Sequence, residues 1–201
     1  MGFIFQSLGR TVLAGIVILL VMMGIANTFG MMSEHGYWQF FMRWLHILSG
    51  VMWIGLLWYF NFVQTRKMPD IPPELKPAVS KFIAPEAMFW FRWAALFTVL
   101  MGLILAYNRG YLLQALALGF AETPASPAHS FIGLGMWLGI IMMVNVWAFI
   151  WPAQKIALGI VDADADAKAA AGRKGMIFSR INTLLSVPML VTMTMNQTIF
   201  G

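Results

Sequence analysis

The stretch RWLHILSGVMWIG, residues 43–55, places an arginine and a histidine in a run that is otherwise mostly apolar. The run extends in both directions, to about residues 38–63. Because a helix needs ~20 apolar residues to cross the hydrocarbon core of a bilayer, this run is long enough to span a membrane. Runs of comparable length predict five transmembrane helices, at about residues 11–32, 38–63, 86–107, 130–151 and 176–199.

The composition of the whole chain is that of a membrane protein. Hydrophobic residues make up 60% of the 201 residues and charged residues only 10%, whereas soluble domains carry about 25% charged residues. We therefore predict an all-α integral membrane protein, a bundle of about five transmembrane helices in a single domain over residues 1–201. The segment GYLLQALALGF, residues 110–120, is too short to cross the membrane and predicts an interfacial helix.

The basic residues predict the orientation of the helices. Loops 64–84 and 153–175 together hold eight of the thirteen lysines and arginines. Such an excess marks the cytoplasmic side of a membrane protein. We expect a multi-pass membrane protein with its amino terminus in the cytoplasm. Since the basic residues lie in loops between apolar runs, they do not predict a nucleic-acid partner.

The absence of cysteine limits the chemistry that is open to the chain. With no cysteine in the sequence, disulfides, iron–sulfur clusters and covalent attachment of a c-type haem are excluded. A cofactor would have to be held by histidine, methionine, carboxylates or the backbone.

His46 is the most informative of the polar residues in the predicted spans. Steps of three and four along a helix place Arg43, His46 and Gly50 on one face. A b-type haem requires an axial imidazole, space for its ring and a cation for its propionates, and these residues offer one of each. His46 is therefore a candidate haem or metal ligand. A second interpretation stays open, in which His46 bonds to a neighbouring helix and Gly50 permits close packing.

Two further histidines lie at the predicted outer boundary of the membrane, His35 and His129. Either residue would be solvated as a loop residue. The fold could also bring one of them close to His46, which makes both candidates for a second cofactor ligand.

A second layer of polar residues is predicted near the cytoplasmic ends of the helices. It contains Arg92, which we expect to pair with Glu86 or with the amides of Asn61, Asn145 and Asn182. Such a network is either structural or lines a proton or quinone path.

Two glycines of the fourth run, Gly135 and Gly139, form a small-xxx-small pair. This spacing predicts a close contact between helices.

Four blocks of the sequence resemble the membrane domain of the bacterial urate hydroxylases, the urate oxidase N-terminal domain. The blocks are GYWQFFMRWLHILSGVMWIGLLWYFNFVQ, APEAMFWFRWAALFTVLMGLILA, IMMVNVWAFIWPAQK and SRINTLLSVPMLVTM, and they cover most of residues 37–195. The resemblance implies a multi-span domain that passes electrons towards the periplasmic side, often to a fused c-type cytochrome. His46 matches a histidine of the family.

The sequence departs from this family in two respects. It contains no Cys-x-x-Cys-His motif, so we expect the cytochrome domain to be absent and the electron acceptor to be a separate cytochrome or a quinone. In the fifth span the family has histidines in an Arg-His-Asn-Thr block and near the outer end. Here the corresponding residues read Arg180, Ile181, Asn182 and Thr183, and later Asn196 and Gln197.

Two functions are consistent with the sequence. The first is an inner-membrane subunit of an electron-transfer or other redox complex that binds a b-type haem through His46. The second is a cofactor-free accessory subunit that stabilises a larger membrane enzyme. Both predict the lipid bilayer and other membrane-protein subunits as partners.

Overall fold

A computed structural model of the protein describes residues 2–28 and 34–200, without the side chains of Glu34, His35 and Gln197. These residues form helices joined by turns and no β-strand, which confirms the all-α fold. The α-helices, in chain order, are α1 (Gly2–Phe5), α2 (Leu8–Thr28), α3 (Glu34–Trp58), α4 (Thr65–Lys67), α5 (Lys76–Ala78), α6 (Ala84–Asn108), α7 (Leu112–Leu116), α8 (Pro127–Asn145), α9 (Trp151–Ala157) and α10 (Ala165–Thr198).

Three π-helical segments lengthen the helices that they adjoin. Tyr59–Gln64 continues α3, Val79–Ile83 precedes α6, and Val146–Ile150 joins α8 to α9. Among the described residues, five helical stretches are long and apolar enough to cross a membrane, which confirms the predicted number and makes this a membrane protein. The stretches are Leu8–Thr28, Gly36–Asp70, Lys76–Asn108, Pro127–Ala157 and Ala165–Asn196.

Several stretches extend well beyond the apolar runs of the sequence. The last begins at Ala165, whereas the sequence predicts a span from about residue 176. Asp164 explains this earlier start, because its side chain accepts a hydrogen bond from the amide of Ala167 at 2.7 Å and caps α10. Backbone hydrogen bonds carry the helix through the polar segment that precedes the apolar run.

The chain divides into two compact units, Met1–Phe41 and Met42–Gly201. In the first unit α1 packs on α2, where the guanidinium of Arg10 lies 3.8 Å from the centre of the Phe3 ring. Apart from the buried Met23, the large apolar side chains along α2 are mostly exposed. A helix that is apolar on all sides is stable where lipid or protein surrounds it.

The second unit contains the main core. Its largest fully buried side chains include Trp53 and Leu57 of α3, Phe91 of α6, Met142 of α8 and Ile150 of the following π-helical segment. The helix α10 packs along α8 and α9. These contacts fix which polar residues of α8, α9 and α10 lie opposite one another.

The two glycines of α8 that the sequence pairs, Gly135 and Gly139, have different surroundings. A Cβ at Gly135 would lie 2.7 Å from the hydroxyl oxygen of Thr192 on α10, which confirms a close helix contact there. A Cβ at Gly139 would meet no atom within 4 Å. Within a single chain, the prediction of a close helix contact at Gly139 was therefore wrong. The sequence spacing is compatible with both results, because it does not specify the distance to the neighbouring helix.

The predicted short helix near residues 110–120 is confirmed as α7, Leu112–Leu116. It packs against α8 at Gly133, where a Cβ would overlap the carbonyl oxygen of Ala115. Ser126 caps α8 by accepting a hydrogen bond from the amide of His129. The Ser130 hydroxyl donates to the carbonyl of Leu118 at 2.7 Å, so the connection between α7 and α8 is held at both ends.

Candidate functional site

His46 forms a hydrogen bond between two helices. Its ring nitrogen Nδ1 lies 2.8 Å from the carbonyl oxygen of Thr98 on α6. A carbonyl oxygen can only accept, so Nδ1 carries the proton and Nε2 retains its lone pair. Among residues 2–28 and 34–200, the structure gives Nε2 no hydrogen-bond partner.

Gly102 provides the space for the imidazole of His46. A Cβ at this glycine would lie 2.9 Å from both Cε1 and Nδ1 of the ring. Such a distance is too short for a real Cβ contact, so any side chain at this position would displace His46. Thr98 and Gly102, one helical turn apart on α6, therefore fix the position and the tautomer of the histidine together.

The face of α3 at Gly50 is covered by Thr98. A Cβ at Gly50 would lie 3.7 Å from Cγ2 of Thr98, which is an ordinary van der Waals distance. Gly50 thus takes part in packing between α3 and α6. A flat ring that approaches Nε2 of His46 would have to come from another side of the imidazole.

Arg43 lies one helical turn before His46 on α3. Its Nε atom is buried and has no hydrogen-bond partner in the described part of the chain. A buried N–H group of a charged side chain is costly when it has no hydrogen-bond acceptor. A ligand, a lipid or a neighbouring subunit could supply that acceptor for Arg43. Arg43 is therefore suited to an anionic group near its end of α3.

Arg43 belongs to a group of residues that we call the outer polar cluster: Arg43, Tyr111, Glu122 and His129. His129 Nδ1 and Glu122 Oε2 are 2.7 Å apart. The ring of Tyr111 stacks on that of His129, with 5.8 Å between the ring centres. Burial raises the pKa of Tyr111, and the positive charges of Arg109 and Arg43 oppose this effect. The phenol of Tyr111 is therefore neutral at physiological pH, and its hydroxyl can donate a hydrogen bond.

The predicted site residues are thus distributed over two places that lie close in the fold. His46 and Gly50 contact α6, whereas Arg43 and His129 share the outer polar cluster through Tyr111. The side chain of His35 is outside the described part of the structure, so its proposed role as a ligand stays a prediction. In the described part of the chain, no group of three or more histidine, aspartate or glutamate residues could hold a metal ion.

The predicted pairing of Arg92 is wrong. The guanidinium lies over the ring of Trp151, 3.8 Å from its centre, and Glu86 instead accepts a hydrogen bond from Nε1 of Trp90 at 2.8 Å. Glu86 and Arg92 are six residues apart on one helix, which places them on different faces. A cation–π contact stabilises the guanidinium instead.

Two of the predicted inner amides form a hydrogen-bond network. Asn145 Nδ2 donates to Asn182 Oδ1 at 3.0 Å, and Asn182 Nδ2 donates to the carbonyl of Met142 at 2.9 Å. Asn182 is fully buried. This arrangement connects α8 to α10 and is best explained as structural.

We expect Asn182→Ala to lower the stability of the protein by about 1–3 kcal/mol, because Asn145 would keep a buried amide without its partner. Thermal unfolding in detergent measures the change. The double variant Asn145→Leu, Asn182→Leu removes both partners and should be less destabilised than the single variant. If the double variant is the less stable of the two, the amides do not act as a pair.

Sequence analysis did not identify Thr98, Gly102, Tyr111 or Glu122. One available signal was the pair Thr98 and Gly102, two small residues at i and i+4 within an otherwise apolar run. Tyr111 and Glu122 lie in the connections around α7, where position depends on turns that the sequence does not specify.

Comparison with known proteins gives one family match. A sequence profile of the family described as urate oxidase N-terminal matches residues 110–200. The resemblance to this family is therefore confirmed for the part of the chain that holds α7 to α10 and His129. His46, Arg43 and Gly50 precede the matched range. No curated protein and no solved structure matches the chain.

Proposed function

We propose that this membrane protein of the urate oxidase N-terminal family is an inner-membrane subunit of an electron-transfer complex. The proposal is supported by the family match over residues 110–200 and by five helices long and apolar enough to cross a membrane. Its electron partner is a separate cytochrome or a quinone.

In this complex, His46 is the residue that would hold a b-type haem, through its Nε2 atom. The supporting observation is the hydrogen bond from Nδ1 to the Thr98 carbonyl, because a metal-binding histidine is commonly oriented by such a bond at its other nitrogen. The unpaired Nε of Arg43 would bind a propionate. His129 is the second ligand candidate in the outer polar cluster. A bound haem would supply one-electron redox chemistry.

A specific observation favours the alternative function, a cofactor-free accessory subunit. His46 already has a hydrogen bond in the protein, and Gly102 and Gly50 accommodate His46 and Thr98 respectively. In this alternative, His46 joins α3 to α6 and has no further role. Arg43 would then find its acceptor on a neighbouring subunit or a lipid headgroup.

A reduced-minus-oxidised absorption spectrum of the purified chain distinguishes the two functions. The redox subunit should show the Soret and α bands of a b-type haem. A spectrum without these bands, from protein purified under conditions that retain haem in other membrane proteins, would exclude the haem and favour the accessory subunit.

Orientation in the membrane is a second expectation of this proposal. The chain has no cysteine, so each single-cysteine variant carries one thiol. Glu74→Cys and Asp162→Cys, at exposed positions of the two basic loops, should resist an impermeant thiol reagent in intact cells because these loops face the cytoplasm. Ala125→Cys, exposed between α7 and α8, should react. The reverse pattern would overturn the orientation.

A further inference from the structure

A cavity of about 210 Å³ lies within the second unit, away from His46. The π-helical segment after α3 and the helices α6, α9 and α10 form its walls. Its lining includes Phe60, Gln64, Met88, Phe91, Met176 and Ser179. Small-molecule sites for drug-sized ligands are typically ~300–1,000 Å³, so this cavity is suited to a single substituted ring.

The lining excludes an ionic ligand. None of the residues that line the cavity is aspartate, glutamate, lysine, arginine or histidine. A charged group without a counter-ion would be costly in such surroundings. Aromatic rings and methionine thioethers cover the apolar part of the wall, and both pack well against a planar ring.

The polar part of the lining can donate hydrogen bonds to a ligand. Ser179 Oγ accepts a hydrogen bond from Nδ2 of Asn61 at 2.8 Å, which leaves the hydroxyl proton of Ser179 for another acceptor. The Gln64 side chain makes no hydrogen bond within the described residues, and its Oε1 is buried without a partner. Because the amide makes no other bond, a half-turn places its Nε2 donor where Oε1 now lies without the loss of an existing bond.

We propose that this cavity binds the headgroup of a quinone. A quinone is a neutral, planar ring with carbonyl oxygens on opposite sides, which would accept from the Ser179 hydroxyl and the Gln64 amide. Its isoprenoid tail would lie in the lipid. A saturated acyl chain would fill the apolar volume equally well but would leave both polar groups unpaired.

The cavity and His46 are far enough apart to be tested separately. Phe60 and Gln64 follow His46 by 14 and 18 residues, which corresponds to roughly 20–27 Å along a helix. The role of the quinone as an electron partner rests on the proposed function. Its binding to the cavity does not.

Calorimetric titration of the purified full chain with a short-tailed benzoquinone tests the proposal. Ser179→Ala and Gln64→Leu should each weaken binding by about tenfold, the effect of one lost hydrogen bond. Ser49→Ala is the matched control, since the Ser49 hydroxyl bonds within α3 to Leu45 and lies outside the cavity.

Thermal unfolding shows whether each variant is folded. Gln64→Leu should fold as the parent does, because the substitution removes a buried polar atom that has no hydrogen-bond partner. The proposal is overturned if Gln64→Leu, folded as the parent is, binds the benzoquinone as tightly as the parent does. It is also overturned if a linear alcohol of equal tail length binds the parent as tightly as the benzoquinone. The haem spectrum does not enter this experiment, so failure of the haem proposal and failure of the quinone proposal are observed independently.

Discussion

Replacement of His46 by alanine should abolish the spectrum of a b-type haem while the chain still inserts into the membrane. The substitution removes Nε2, the proposed ligand atom, together with the hydrogen bond from Nδ1 to the Thr98 carbonyl. The five apolar helices that direct insertion are unchanged. The measurement is the reduced-minus-oxidised spectrum per mole of purified protein, compared with that of the parent.

His46→Asn separates ligation from helix packing. The side-chain amide of asparagine can still donate to the Thr98 carbonyl, but it has no atom in the place of Nε2. We expect this variant to lack haem and to unfold at a higher temperature than His46→Ala, by the equivalent of about 0.6–1.7 kcal/mol for one hydrogen bond between membrane helices. Retention of haem by the asparagine variant would exclude His46 as the ligand.

His46 also illustrates how far the sequence predicts this site. The cost of a polar ring in lipid predicts that His46 has a partner. It does not predict which partner, because every residue has a backbone carbonyl and the sequence does not distinguish that of Thr98 from the others. The contact becomes visible only when α6 is placed beside α3, with Gly102 opposite the ring.

The number of long helices was predictable for a different reason. Each helix must satisfy its own backbone hydrogen bonds in lipid, so an apolar run of sufficient length has few alternatives to a helix. The depth of a residue such as Asn145 or Asn182 follows from this alone. The choice of partner does not, since the arrangement of α8 beside α10 depends on packing.

The wrong predictions concern direction around a helix. Arg92 and Glu86 lie six residues apart on α6, which is about 9 Å along the helix, and they face different sides of it. The ring of Trp151 is the closer partner of Arg92. Gly139 shares the spacing of Gly135, but only Gly135 faces α10 at close range. The spacing of Glu86 and Arg92 was enough to exclude their pairing, whereas the neighbour that each face of a helix meets depends on the tertiary arrangement.

Gly133→Ala should destabilise the protein more than any other glycine substitution on α8. The added Cβ would overlap the carbonyl oxygen of Ala115 and lie 2.8 Å from its carbonyl carbon. Since both are backbone atoms, no rotamer change can relieve the overlap, and α7 must move away from α8. We expect a loss of about 2–3 kcal/mol, the upper part of the range for overpacked sites, and a fall of roughly 5–10 °C in the unfolding temperature.

Gly139→Ala is the matched control on the same helix. Its Cβ would meet no atom within 4 Å, and alanine favours a helix over glycine by about 1 kcal/mol, so this variant should unfold at or above the temperature of the parent. Displacement of α7 by Gly133→Ala should also disturb Tyr111, which precedes α7 and stacks on His129. The phenol should then titrate closer to its ordinary pKa, because burial is what raises it in the parent. Equal unfolding temperatures for the two glycine variants would contradict the close approach of α7 and α8.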